Sequence, residues 1–143
     1  MSPAFRGFAL CSVSAMLLSS AALASEQQPS SIEVFTTFER PANGNRIESV
    51  IIYEVDGLTK LTESLSENLP DDAEAAKEIA LQRISRLGDE LRWTVEHAVE
   101  GLTRAKKYDL DRYPAVVFDK GKSVVYGVAN VDQALKIYQQ QSQ

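Results

Sequence analysis

Arg112-Tyr113-Pro114-Ala115-Val116-Val117-Phe118 is the stretch on which the reading of the fold turns. A proline has no N–H to give a sheet ladder, so Pro114 belongs at the very start of a strand that runs on through Phe118. The turn Asp119-Lys120-Gly121-Lys122 follows, and Ser123 to Val128 returns as a second strand; four connecting residues with glycine third suit a hairpin. Beyond it, Ala134, Leu135, Ile137 and Tyr138 recur at helical spacing, which predicts a helix from Asp132 to Gln140.

Upstream, the chain is helical. Asp71 and Glu74 have capping-box spacing after Pro70, and Ala73, Ala76, Ile79 or Ala80, Ile84 and Leu87 form one apolar stripe. Gly88 and Asp89 can end that helix and start a second, with Leu91, Val95, Ala98, Leu102 and Ala105 as its stripe. The pattern does not decide between one kinked helix and two. Arg104, Lys106 and Lys107 complement the negative end of this segment. Before it, Leu58, Leu61 and Leu65 suggest a short helix ending near Asn68.

Ile47 to Val55, with Val50-Ile51-Ile52-Tyr53 at its centre, reads as a strand covered on both faces. Phe38 to Asn45, with Pro41 and Gly44, is a loop, and Ile32 to Thr37 is the first strand. Residues 25–31 are a polar leader that need not be ordered.

The first 24 residues stand apart: Arg6, the apolar run Phe8 to Leu18 and the small-x-small triplet Ala22-Leu23-Ala24 form a secretory signal peptide, too short to span a membrane. The whole chain has 143 residues, 15 Lys+Arg against 20 Asp+Glu, one cysteine, one histidine and two methionines. Cleavage after Ala24 removes Arg6, Cys11 and both methionines, leaving an acidic domain, residues 32–143, without sulfur. Thiol chemistry, disulfides and zinc-thiolate or iron-sulfur sites are thereby excluded from the mature chain. His97 alone cannot build a multi-histidine metal site, so no metal or cofactor is expected. The charge balance also argues against nucleic-acid binding, and no membrane insertion is expected once the signal is gone.

Candidate chemistry is sparse. Gly121-Lys122-Ser123 ends like a phosphate loop, but Val116 stands where that motif needs glycine. His97 four residues after Trp93 has the spacing of helix-surface neighbours. Asp109, Asp111 and Asp119 suit turn chemistry as well as paired acid/base work. No Gly-x-Ser-x-Gly elbow is present.

The order strand, loop, strand, helices, X-Pro-strand, hairpin, strand, helix resembles the thioredoxin-like fold: an α/β domain with a central mixed sheet of about four strands, here with an expanded helical middle. The resemblance implies a proline, usually cis, at Pro114. Redox members carry Cys-x-x-Cys after the first strand; here that stretch is Thr36-Thr37-Phe38-Glu39-Arg40-Pro41.

A closer likeness rests on Glu33-Val34-Phe35-Thr36-Thr37-x-x-Arg40-Pro41, on Leu69-Pro70, on Arg112 to Asp119 and on Val124-Val125-Tyr126-Gly127-Val128. Together these resemble a family of integrating conjugative element proteins, small exported proteins encoded with mating-pair-formation genes. The resemblance implies a periplasmic component of a conjugative type IV secretion apparatus whose partners are other periplasmic proteins of that apparatus. On the thioredoxin-like frame, Phe38, Arg40, Pro41, Arg112, Tyr113 and Pro114 would line a partner-binding groove, with no catalytic residue assigned. A chaperone-like holder of pilin or secreted segments, and a non-redox enzyme using carboxylates and His97, are the alternatives.

Overall fold

The computed structural model describes residues 28–141, so the signal peptide read over residues 1–24 lies outside the described residues. Strands β1 (Ile32–Thr36), β2 (Ile51–Glu54), β3 (Ala115–Phe118) and β4 (Ser123–Tyr126) form one sheet in the order β2-β1-β3-β4. β1 runs parallel to β2 and antiparallel to β3, and β3 and β4 form the hairpin. Between β2 and β3 lie helices α1 (Gly57–Ser66), α2 (Ala73–Leu87) and α3 (Asp89–Lys107), and α4 (Val131–Gln141) closes the chain. This is the mixed four-stranded, thioredoxin-like α/β arrangement. The Tyr113–Pro114 bond is cis, and the buried Pro114 immediately precedes β3 with its carbonyl accepting from Gly127 N at 2.8 Å.

Strand alternation divides the core in two. Val34, Val116, Phe118 and Val125 point to the α4 face, where they meet Val131, Ala134, Leu135 and Tyr138. Phe35, Ala115 and Val117 point the other way and meet Tyr53 and Ala105 under α3. Central strand β3 is buried at every position, as its uninterrupted Ala-Val-Val-Phe run requires.

The second strand is shorter than its sequence suggests. Ile47–Ser49 is a 3-10 turn, and β2 occupies the sheet edge with Ile51 49% exposed, so it is not covered on both faces. Ile47 and Val50 instead pack from the crossover against the α4-side core. A parallel pair needs a long crossover, commonly a helix. Here residues 37–50 serve, stapled to the start of α4: Asn43 N bonds Ala129 O, Val131 N bonds Asn43 O, and Asn45 N bonds Asp132 Oδ2 at 2.6 Å.

The middle segment is two helices, divided at Gly88 (φ 49°). Asp72 rather than Asp71 caps α2, its side chain accepting from Ala75 N at 2.9 Å, because the chain is still extended at Asp72. The α2 stripe buries nothing fully, since that helix packs on α1 and α3 and not on the sheet. On α3 the buried positions are Ala98, Gly101 and Ala105, while Leu102 of the expected stripe is exposed. Small residues are needed there because α3 lies against Tyr53: a Cβ on Gly101 would stand 2.8 Å from the Tyr53 Cβ.

At the opposite end of the sheet from Pro114, Asp119 ties three segments together. Its Oδ1 accepts from Ser30 N and Ser30 Oγ at 2.6 and 2.8 Å, and its Oδ2 from the Tyr138 hydroxyl at 2.6 Å. Lys120 N also donates to Ser31 Oγ, so the last two residues of the polar leader are fixed. These donors, Tyr138 first and then Ser30, hold the Asp119 carboxyl below its ordinary value near 3.8.

Two expectations follow. Gly101→Ala should lower unfolding free energy in urea by about 1–2 kcal/mol, because the overlap with Tyr53 outweighs the gain in helix propensity. For Asp119, a lowered folded-state pKa contributes stability that is fully present above the ordinary carboxylate value and disappears as pH falls through the lowered one. Thermal melts of Asp119→Asn and the parent should therefore differ at about pH 7 and converge as the pH falls below the ordinary carboxylate range. A constant difference across that range would show that the charge on Asp119 is not what matters.

Candidate functional site

Where β1 ends, Arg40 N donates to Thr37 O at 3.0 Å and Thr36 Oγ1 donates to Arg40 O, folding Thr37–Arg40 into a tight turn. Asp56, just past β2, then accepts from Phe38 N with both carboxylate oxygens, each at 3.2 Å. Asp56 stands at the N-cap position of α1 yet makes no side-chain cap bond there. The turn is thus held to the end of β2, and Phe38 is left 53% exposed.

Phe38 lines a cavity of about 430 Å³ together with Leu61 of α1 and Leu87, Leu91 and Trp93 around the α2–α3 elbow. A second cavity of about 250 Å³ shares Glu54, Gly57, Trp93 and Thr94 with the first and adds Ile52, His97 and Ala98 beside the β2 edge. Together they form one groove from the open edge of the sheet to the elbow, with the Trp93 indole, 65% exposed, between its halves. The elbow exists because Gly88 takes a positive φ, the left-handed region that glycine enters without steric cost.

Trp93 is held by a ladder of rings. It stacks on His97 at 5.0 Å between centroids, His97 on Tyr53 at 5.1 Å, and Tyr53 on the fully buried Phe35 at 5.2 Å. His97 Nε2 lies 2.8 Å from the Ile52 carbonyl, which can only accept, so Nε2 carries the proton. That bond satisfies an outward-facing acceptor on the edge strand, a spot otherwise open to pairing with another chain.

Below the ladder, Glu33 of β1 is buried at 4% exposure. Its Oε1 takes the Arg104 Nη1 at 2.6 Å, while Oε2 is buried without a hydrogen-bond partner. Arg104 also binds Glu100 at 2.9 Å and lies over the Tyr53 ring, and the Tyr53 hydroxyl donates to Glu100 at 3.2 Å. Burial, opposed by Arg104 and reinforced by Glu100, pushes the Tyr53 phenol up to about 12. Arg104 and then Tyr53 hold the Glu100 carboxyl below its ordinary value. Arg104 therefore does more than complement a helix end: it clamps α3 to the sheet and so fixes where Trp93 stands.

The six residues expected to line a groove lie at one end of the sheet but divide into two groups. Phe38 belongs to the helical groove just described, with Arg40 and Pro41 exposed beside it. Arg112 instead lies over the Tyr126 ring at 5.0 Å and pairs with Asp111 at 3.2 Å. Tyr113 is half-buried against the α3-side core, and burial, with Tyr126 nearby, pushes its phenol up. Among the described residues no hydrogen bond, ion pair or ring contact joins the two groups. Nothing in residue spacing announces Glu33, Arg104 or Leu87 as parts of one site; only Trp93–His97, at four residues apart, carried a signal.

Among the described residues no group of three metal-ligating side chains converges, and no helix is long and apolar enough to cross a membrane. Fold and groove define a thioredoxin-like α/β domain with an apolar cleft between the β2 edge and the α2–α3 elbow. The chain belongs to the DUF1525 family, described as a protein of unknown function, whose profile matches residues 29–143. No curated protein and no solved structure matches it.

Removing Arg104 leaves the Glu33 carboxylate buried and uncompensated. Arg104→Ala should cost about 2–4 kcal/mol in urea unfolding, the partial exposure of the guanidinium placing it below a fully buried pair. Adding Glu33→Gln to it should restore at least about 1 kcal/mol. Additive losses would show that the two side chains act independently.

Proposed function

We propose that this protein is a non-catalytic periplasmic component of an integrating conjugative element's type IV secretion apparatus. It acts there as a redox-inactive, thioredoxin-like module that binds another protein of the machine. The place in the apparatus is supported by the motif likeness over Glu33–Pro41, Arg112–Asp119 and Val124–Val128 and by the N-terminal targeting pattern. The binding role is carried by one observation: Phe38 and Trp93, both more than half exposed, line an apolar groove. Exposed large aromatics grouped around a cleft mark interaction sites more often than scattered surface residues do.

Three of the polar groups that the sequence offers for chemistry have other engagements. His97 Nε2 serves the Ile52 carbonyl, Asp119 serves Ser30 and Tyr138, and Asp111 serves Arg112. The stretch that carries Cys-x-x-Cys in redox relatives is here a turn pinned through Phe38 N.

The test is genetic. A donor strain carrying Phe38→Ser together with Trp93→Ser should transfer DNA at least about tenfold less often, the equivalent of about 1.4 kcal/mol of lost affinity. Both sites are exposed, so protein level and circular dichroism should match the parent. Parental transfer by a double variant that accumulates normally would overturn the reading.

A further inference from the structure

Carboxylates outnumber cations around the groove, where Lys60 and, beside Phe38, Arg40 are the basic residues. Glu54 and Glu90 line it, and neither makes an ion pair among the described residues. Lys60 is the one cation lining the larger cavity, and it is already bound to Glu63 at 2.9 Å, with Asp56 and Glu39 also close enough to act on it. The floor beneath, formed by Leu61, Leu87 and Leu91, is apolar.

From this we infer that the occupant of the groove is a cationic amphipathic segment of a partner protein: apolar residues on one face fill the cleft between Phe38 and Trp93, and Lys or Arg side chains on the other reach Glu54 and Glu90. The inference rests on the docking function proposed above and adds the chemistry of what docks. Long basic side chains lay apolar stems along a cleft while their charged heads reach a carboxylate rim. Like-charged partners are rejected by the same rim, since opposed like charges suppress wrong pairings and slow encounter. A second copy of this chain fits poorly, because its formal net charge of -5 meets an acidic rim. A segment laid in a groove with anchors at helical spacing is a recurrent recognition mode, and apolar anchors with complementary rim charge are its requirements.

Trp93 is the chain's one tryptophan, so its emission reports on the groove directly. The probes are two synthetic helix-forming peptides of about 14 residues, long enough to span about 21 Å. Both carry Leu at core spacing and lack Trp and Tyr; one has Lys and the other Glu at the remaining positions. The Lys peptide should change Trp93 emission saturably, with affinity falling as salt rises, and the Glu peptide should not. Glu54→Lys with Glu90→Lys should weaken the Lys peptide at least about tenfold. Glu48→Lys with Glu78→Lys, which alters net charge equally at exposed sites away from the groove, should leave it unchanged. Equal binding of both peptides, equal loss in both double variants, or no emission change with either peptide would each overturn the inference. A photoreactive residue at position 61 in donor cells separates the two claims. Cross-links to a transfer protein, alongside peptides that bind alike, would retain the docking function and overturn the cationic occupant.

Discussion

The contact between Gly101 and Tyr53 sets the geometry of the molecule. With no side chain on Gly101, α3 can lie directly on the sheet; a single Cβ would meet the tyrosine at 2.8 Å. From that approach the other placements follow. Arg104, one turn along, reaches the buried Glu33, and His97, one turn back, reaches the Ile52 carbonyl at the open edge. Trp93 is a further turn out, beyond the sheet, where nothing covers its outer face among the described residues and where it borders the groove. A helix held a few ångströms higher would break the ring ladder and leave the Glu33 carboxylate buried without its guanidinium, a loss of the costly kind.

Stability and presentation are separated along the sheet. At one end, Asp119 joins the residues before β1 to the β3–β4 turn and to α4, through donors on Ser30 and Tyr138. At the other end lie the Phe38 turn and the cis Tyr113–Pro114 bond, with the elbow of α2 and α3 flanking the turn. Helix α2 has no fully buried residue and packs chiefly on α1 and α3, with Arg83 bonding the Leu65 and Glu67 carbonyls at the end of α1, so the elbow is the more lightly packed wall of the groove. A cleft with one wall on a rigid sheet and one on a lightly packed helix can adjust to an occupant without disturbing the core.

Strands and helices were legible where the sequence pattern expresses a single face. The apolar run of β3 and the proline before it place the central strand correctly, because a buried strand tolerates neither polar residues nor an internal proline. β2 misleads for the same reason: Val50-Ile51-Ile52 is as apolar as a central strand, yet Ile51 faces outward at the edge and Val50 belongs to the crossover. The α3 stripe fails at Leu102, since size rather than hydrophobicity decides which residues can face Tyr53, and Ala98, Gly101 and Ala105 are the small ones. Arg104 reads as an ordinary helix-end cation because its partner lies 71 residues away. The groove itself was half legible: Phe38 and the Trp93–His97 pair stand out, but Leu61, Leu87 and Leu91 look like any core leucines until the elbow at Gly88 turns them to one cleft.

The turn after β1 and the apolar cleft are connected through Asp56. After β1, a redox domain of this architecture needs a thiolate-bearing segment that stays accessible and correctly charged. Here that segment is a turn whose Phe38 amide is bonded to both oxygens of Asp56, a carboxylate contributed by the end of β2. A carboxylate in that position would raise the pKa of a nearby thiol and disfavour the nucleophilic form. The same bond instead projects an aromatic ring towards the leucines of the helical elbow. Asp56 therefore builds one side of the groove, and a Cys-x-x-Cys placed in the turn would have to ionise its thiol beside that carboxylate.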